Sequence, residues 1–316
     1  MSRLRADLLL LTAAVIWGLA FVFQKTAMAS LGPLTFIAAR ATVAAAILLP
    51  LSIFEYKRRR SLRGPAHTVA IIPRRLSGTA FLAGFAFFIA AALQQFGLQS
   101  ATASNAGFLT ALYVVLTPPL AFLLRRSRPS PVVVPAVALS ALGTWLLGGG
   151  AYSALSVGDW LITACAIFWA WHVIVCERAS LFDRPILFTG LQFATVAVFA
   201  ATGAGLFETV TVPALKSAAG EILYVGVLSS ALTFTLLTLA LRFAPASEAA
   251  VIVSTESLFA ALAGAILLGE RLTPIAWCGA GFIMLSVLLV QLGPRARPLP
   301  VEVGGKGVCK TDPAKV

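Results

Sequence analysis

Ten continuous apolar runs fill most of this chain, at about 7–26, 33–53, 77–97, 103–124, 132–148, 158–177, 186–206, 219–241, 247–268 and 274–292. A helix needs about 20 apolar residues to cross the hydrocarbon core of a bilayer, and nearly every run has that length. The runs do not alternate polar with apolar, which argues against an outer-membrane barrel. Charged residues make up only 11% of the 316, against about 25% in soluble domains. The expectation is an all-α integral membrane protein with ten spans. The first run ends in Gln24-Lys25, with Trp17 and Phe21 where a signal peptide would carry small cleavage-site residues, so it reads as a span.

A net charge of +12 would suggest nucleic-acid binding in a soluble protein, but its distribution argues otherwise. With the N-terminus in the cytoplasm, ten spans place twenty Lys and Arg residues inside, among them Arg58, Arg59, Arg60, Arg74 and Arg75. Lys25, Lys216 and Arg271 fall outside, and Arg40 lies within the second span. This bias fixes both termini in the cytoplasm of a cytoplasmic (inner) membrane protein. The basic excess serves topology and contact with anionic headgroups, with no nucleic-acid partner.

The chain also repeats itself. Ala14-Val15-Ile16-Trp17-Gly18 aligns with Ala166-Ile167-Phe168-Trp169-Ala170, 152 positions on. Ala103-Ser104-Asn105-Ala106 aligns with Ala246-Ser247-Glu248-Ala249, 143 positions on. The longer basic loop at 55–75 accounts for the change of offset. Five spans per copy is an odd number, so the second copy is expected upside down relative to the first, a construction common among secondary transporters. The first repeat is read as 1–148 and the second as 157–292, with a boundary near Gly148-Gly149-Gly150 and a disordered cytoplasmic tail at 293–316. Small residues four apart, such as Ala136 and Ser140 or Ala276 and Ala280, would let helices approach closely.

Polar groups inside a bilayer are costly and often functional. Glu256, within Ser254-Thr255-Glu256-Ser257, is the deepest carboxyl, suited to exchange a proton or to hold an amine; a neutral carboxyl bonded within the bundle is the bland alternative. His172 shares a helical face with Trp169 and Cys176, and titration or plain hydrogen bonding would explain it. Trp17, Phe21 and Gln24 share a face, and the repeat sets Trp17 and Trp169 as two aromatic walls. Arg40, about two turns inside the second run, could pair with a carboxylate, contact an anionic substrate group or snorkel outward; pairing is the expectation, since buried charges usually are paired. Gln94, Asn105 and Tyr113 suit a polar, uncharged cavity lining. Glu248 and Glu270, near run ends, are expected to be wetted by solvent. The cysteines carry no metal or disulfide spacing, and Cys165, Cys176 and Cys278 are expected to behave as buried small hydrophobes.

These segments resemble the EamA branch of the drug/metabolite transporter superfamily. Trp17-Gly18-x-x-Phe21-x-x-x-Lys25 is similar to its first-helix signature, Pro33, Phe36 and Arg40 to its second helix, and Thr102-Ala103-Ser104-Asn105-Ala106 with Pro118 to its fourth. Glu256-Ser257-Leu258-Phe259-Ala260-Ala261-Leu262, then Leu268-Gly269-Glu270-Arg271-Leu272, resembles the ninth helix and its Gly-Glu hallmark; Gly279 and Gly281 extend the match. The first half departs from the pattern with Arg126-Ser127 in place of Gly-Glu, and Ser257 stands where many members have proline. The resemblance implies a ten-helix inverted repeat around a central cavity, and an exporter of amino acids, other metabolites or drugs.

The expected function is therefore secondary transport by alternating access, most naturally export of a small organic metabolite. Trp17, Phe21, Gln24, Arg40, Gln94, Asn105, Tyr113, Trp169, His172 and Glu256 are the candidate cavity residues. No nucleotide motif, cofactor or metal site is read from the sequence, so a gradient must drive transport, with protons as the candidate coupling ion. An importer or a sugar-phosphate or nucleotide-sugar exchanger is the alternative within transport. A membrane-embedded enzyme and a passive channel are the alternatives outside it. Lipid-facing and partner-facing surfaces read alike, so no oligomeric state is assigned.

Overall fold

The computed structural model describes residues 3–63, 72–125, 130–147, 156–271 and 273–292. The boundary near Gly148, the tail 293–316 and the basic residues Arg126 and Arg128 lie outside them. All regular structure in the described residues is helical. Eight helices, of 22 to 29 residues, are long and apolar enough to cross a membrane: Arg3–Ala27, Pro33–Ser61, Arg74–Gly97, Ala103–Leu124, Val157–Ser180, Pro185–Phe207, Ala219–Ala240 and Ala246–Leu268. The runs at 132–148 and 274–292 form shorter apolar helices, Val133–Leu146 and Pro274–Val290. Large apolar side chains such as Phe81, Leu123, Val198, Ile266 and Leu292 stand on the outer surface, as lipid contact requires and water would not favour.

The elements are α1 (Arg3–Ala27), α2 (Pro33–Arg63), α3 (Arg74–Gly97), α4 (Ala103–Thr110), α5 (Tyr113–Arg125), α6 (Val133–Leu147), α7 (Val157–Ser180) and α8 (Pro185–Phe207). They are followed by α9 (Val212–Ser217), α10 (Ala219–Leu223), a π-helical segment (Tyr224–Leu232), α11 (Thr233–Ala240), α12 (Ala246–Val253), α13 (Glu256–Leu268) and α14 (Pro274–Leu292). Local chemistry sets the ends. Pro33 and Pro185 open α2 and α8, where a missing N–H costs nothing. Thr102 caps α4, and Ser156 with Asp159 forms a capping box on α7. Gly269 closes α13 at φ 70°, a left-handed conformation that glycine adopts without strain.

Two spans are interrupted. The α4–α5 span tightens at Ala111-Leu112 and the α12–α13 span at Ser254-Thr255, positions 143 apart and so equivalent in the repeat. At both breaks backbone bonds shorten to three-residue spacing, as in Val114 N–H to Ala111 O and Ser257 N–H to Ser254 O.

Helix pairing links the two halves. α2 packs on α8, α3 on α7, α6 on α14, α1 on α13 and α11, and α4 on α13. The α2–α8 pair is fastened twice. Glu208, after α8, accepts from the amides of Leu34 at 2.9 Å and Thr35 at 2.8 Å. Glu55, late in α2, accepts from the amides of Ile186 and Leu187, each at 3.2 Å. Leu34 and Thr35 are 152 positions from Ile186 and Leu187, and Glu55 is 153 from Glu208. Each helix therefore caps the start of the other, which makes them antiparallel. Asp183 bridges Arg59 and Arg242, and Glu55 also meets Arg184.

Glycine sets the closest approach. A Cβ on Gly18 of α1 would lie 2.3 Å from the Phe259 Cβ and 2.8 Å from the Ala260 nitrogen of α13. Backbone cannot yield there, so Gly18→Val is expected to destabilise the protein by about 1–3 kcal/mol or more through overpacking. A thermal melt in detergent, followed by intrinsic fluorescence, checks this; an unchanged midpoint would contradict the packing.

Candidate functional site

A cavity of about 630 Å³, counted with its mouth, lies where both halves converge. α1 supplies Trp17, Phe21 and Gln24; α2 supplies Arg40; α3, Gln94; α4, Thr110; α5, Tyr113; and α7, Trp169, His172 and Val173. Ser229 comes from the π segment, Phe234 and Leu237 from α11, Ala249, Ala250 and Val253 from α12, and Glu256 from α13. Asn105 does not line it: it sits in the first turn of α4, where its amide is capped by Thr102.

The lining pairs by repeat. Trp17 and Trp169 are equivalent, as are Phe21 and Val173 at the same offset, while Thr110 and Val253, and Tyr113 and Glu256, are related by the second offset. Both indoles are anchored, by different partners. Trp17 Nε1 donates to Ser229 O at 2.9 Å, and Trp169 Nε1 donates to Gln94 Oε1 at 2.9 Å. The Ser229 carbonyl belongs to the π segment, an irregularity often found at functional sites. Phe87 stands behind the wall, with ring centroids 5.0 Å from Trp169, 5.6 Å from His172 and 5.0 Å from Phe234. Such edge-on packing fixes the aromatic walls in place.

Two ionisable groups of opposite sign face this cavity, each only 5% exposed. Glu256 opens α13 directly after the break, and Tyr113, the first residue after the other break, lines the same cavity. The Glu256 Oε1 has no hydrogen-bond partner. Arg40 corrects the expectation of a carboxylate partner. Its Nη1 donates to Gln24 Oε1 at 3.2 Å, and its guanidinium lies 5.8 Å from the Phe36 ring and 5.6 Å from the Phe87 ring. Its Nε is unpartnered. Gln95 supports this arrangement by donating to the Gln24 carbonyl at 3.1 Å. Among the described residues neither Arg40 nor Glu256 is in an ion pair; cation–π contact and a neutral amide hold the cation instead.

His172 is fully buried, its Nε2 3.0 Å from Gln192 Oε1 and 3.4 Å from Cys176 Sγ. Cys165 and Cys176 are buried as expected, whereas Cys278 is exposed on α14 beside the exposed Trp277, a lipid-facing position. Glu248 is likewise not wetted: it is 1% exposed and paired with Arg3. Glu270 is half-buried and accepts a hydrogen bond from the Ser104 hydroxyl of the other half. Among the described residues no three His, Cys, Asp or Glu side chains gather to hold a metal.

The sequence matches the model of the EamA-like transporter family over residues 4–149 and again over 156–292. The chain belongs to the EamA-like transporter family. It is thereby a transporter of the drug/metabolite transporter superfamily and a multi-pass membrane protein. An uncharacterized transporter of Archaeoglobus fulgidus is 31% identical over 299 residues, spanning 92% of this chain and 87% of the relative. The threonine/homoserine exporter RhtA of Escherichia coli K12 is 33% identical over 216 residues, spanning 61% of this chain and 66% of that protein. A solved crystal structure at 18% identity superposes with a TM-score of 0.72 over 92% of this chain and 98% of the other, a likeness of fold alone. The two EamA matches fall on the two halves that α2 and α8 join by their reciprocal caps.

Proposed function

We propose that this EamA transporter exports small zwitterionic metabolites, amino acids foremost, by alternating access. The observation that carries the reading is the pair Arg40 and Glu256, buried, opposite in sign and not paired to each other, in one aromatic-walled cavity. A free α-amino acid brings both missing counter-charges. Its carboxylate suits the planar fork of a guanidinium, and its ammonium suits the Glu256 carboxylate, whose Oε1 has no partner within the protein. Trp17, Phe21, Trp169 and Phe234 then face the substrate's side chain. The threonine/homoserine exporter, 33% identical, belongs to the same substrate class by its name.

The same carboxyl supplies a drive. A carboxylate stripped of its partner in a buried site is costly. When substrate leaves outside, a proton takes the place of its ammonium on Glu256, and the next substrate displaces that proton inside. Substrate export is then coupled to proton entry. The topology proposed is ten spans in two inverted five-helix repeats, 1–148 and 157–292, with both ends and the tail 293–316 in the cytoplasm. The reciprocal Glu55 and Glu208 caps and the breaks 143 apart support it.

Profiling spent medium by untargeted mass spectrometry tests this. Cells expressing the chain are expected to enrich one or more amino acids over cells without it, and a collapsed pH gradient is expected to abolish the enrichment. Enrichment confined to anionic or purely apolar compounds would overturn the zwitterion reading.

A further inference from the structure

We propose that Arg3 and Lys25, at opposite ends of α1, are two clamps released in alternation, so that α1 is the moving wall of the cavity. This rests on the alternating-access reading above. α1 carries Trp17, Phe21 and Gln24 on its cavity face. At its start, Arg3 Nη1 donates to Phe243 O at 3.2 Å, its Nε to Asp7 at 3.0 Å, and its Nη2 to the Glu248 carboxylate. At its end, Lys25 Nζ donates to Leu98 O at 2.7 Å and Gln99 O at 3.4 Å.

The two anchoring turns are counterparts. Residues 98–102 lead into α4 and residues 241–245 lead into α12, 143 positions apart. These are the turns before the two interrupted spans whose breaks bear Tyr113 and Glu256. One helix is thus fastened to one repeat's turn at one end and to the other repeat's turn at the other. Opening the cavity toward either membrane face requires α1 to part from the turn at that face.

The clamps are unequal. Arg3 reaches across to Glu248, a carboxylate 1% exposed, while Asp7, 6% exposed, stays with it on α1; parting this clamp breaks a buried charge-assisted hydrogen bond. Lys25 holds only backbone carbonyls among its described hydrogen bonds, and the position equivalent to Glu248 is the neutral Asn105. The Lys25 end is therefore the easier one to open. For an exporter with α1 beginning in the cytoplasm, the end that yields more readily is the outer one, where substrate leaves and the proton enters.

The test places one cysteine in the cavity, Thr110→Cys, in a chain with Cys165, Cys176, Cys278 and Cys309 replaced by serine or alanine. A membrane-impermeant maleimide is applied to right-side-out and inside-out vesicles. Glu248→Gln is expected to raise labelling from the Arg3 face by about tenfold, the factor that losing one charge-assisted hydrogen bond carries, and to lower it from the Lys25 face. Lys25→Met is expected to shift both in the opposite sense. Should Glu248→Gln fail to fold, Arg3→Lys, which keeps the charge but loses the fork, is expected to act in the same direction. Shifts of the same sign in both variants, or none, would overturn the proposal. Opposed shifts with the faces exchanged would support the clamps while reversing the orientation assigned above. A parent protein labelled from both faces at once would sink alternating access and the clamps with it.

Discussion

Arg40→Met is expected to lower amino acid export by about 30-fold to several-thousand-fold while leaving the fold intact. Removing one partner of a buried, hydrogen-bonded charge pair costs about 2–5 kcal/mol, and each 1.4 kcal/mol is tenfold. The pair here forms only when substrate brings its carboxylate, because Arg40 has no carboxylate of its own to hold. The empty protein loses a buried charge, one bond to Gln24 and two ring contacts. An apolar side chain of similar volume often replaces a buried ion at little cost, or at a gain. The account therefore predicts a melting temperature that holds or rises alongside collapsed transport. A parallel fall of both would mark Arg40 as a structural residue. Arg40→Lys is expected to lie between, since it keeps the charge and loses the bidentate fork.

Glu256→Gln is expected to change what is carried as much as how fast. The amide keeps the size and shape of the side chain but offers no charge to an ammonium. Export of an amino acid should fall by about 30-fold or more, by the same arithmetic. Transport of the matching 2-hydroxy acid, which has the carboxylate without the amine, should change by less than about threefold, because that analogue never used the charge. Residual amino acid flux should also lose its response to the pH gradient. Measuring both substrates in the same vesicles, with and without a gradient, separates the two effects. Equal losses for the amino acid and its hydroxy analogue would remove Glu256 from amine recognition.

The membrane fold was legible because it rests on one strong constraint, the apolar run, and the repeat was legible because Trp17 and Trp169 survive in similar contexts. The breaks were not. Ala111-Leu112 contains neither glycine nor proline, and Pro118 and Pro119 draw the eye further along α5. A signal did exist at the second break. Ser254, Thr255 and Ser257 each turn their hydroxyl back onto a carbonyl three residues earlier, at 2.7–2.8 Å, a habit that loosens a helix. Transferring it by 143 positions points to 111–112.

The candidate site was read through polarity, which selects Arg40, Gln94, Tyr113, His172 and Glu256 and overlooks apolar lining. Val173 becomes visible once the repeat offset is applied to Phe21, whereas Thr110 and Val253 are equivalent only to each other and neither carries a signal of its own. Ser229 follows from no sequence rule, because its carbonyl is presented by a π segment confined to one copy: the equivalent α3 is regular throughout. Arg40's partner was misjudged for a related reason. Sequence says that a charge is buried, but only the folded bundle brings Gln24 of α1, rather than a carboxylate, to its guanidinium. Glu248 lies near a helix end, where water is the default expectation; the start of α1 covers it and Arg3 neutralises it.

The most direct measurement is counterflow by the purified chain in proteoliposomes, with a labelled amino acid outside and four unlabelled compounds tested inside: the amino acid, its N-acetyl derivative, its methyl ester and its 2-hydroxy analogue. If Arg40 and Glu256 together hold a zwitterion, the amino acid drives saturable counterflow, and acetylation or esterification, each of which removes one charge, abolishes it. The hydroxy analogue drives it weakly. Counterflow sustained equally by the acetylated and esterified compounds would contradict recognition of both charges in this cavity.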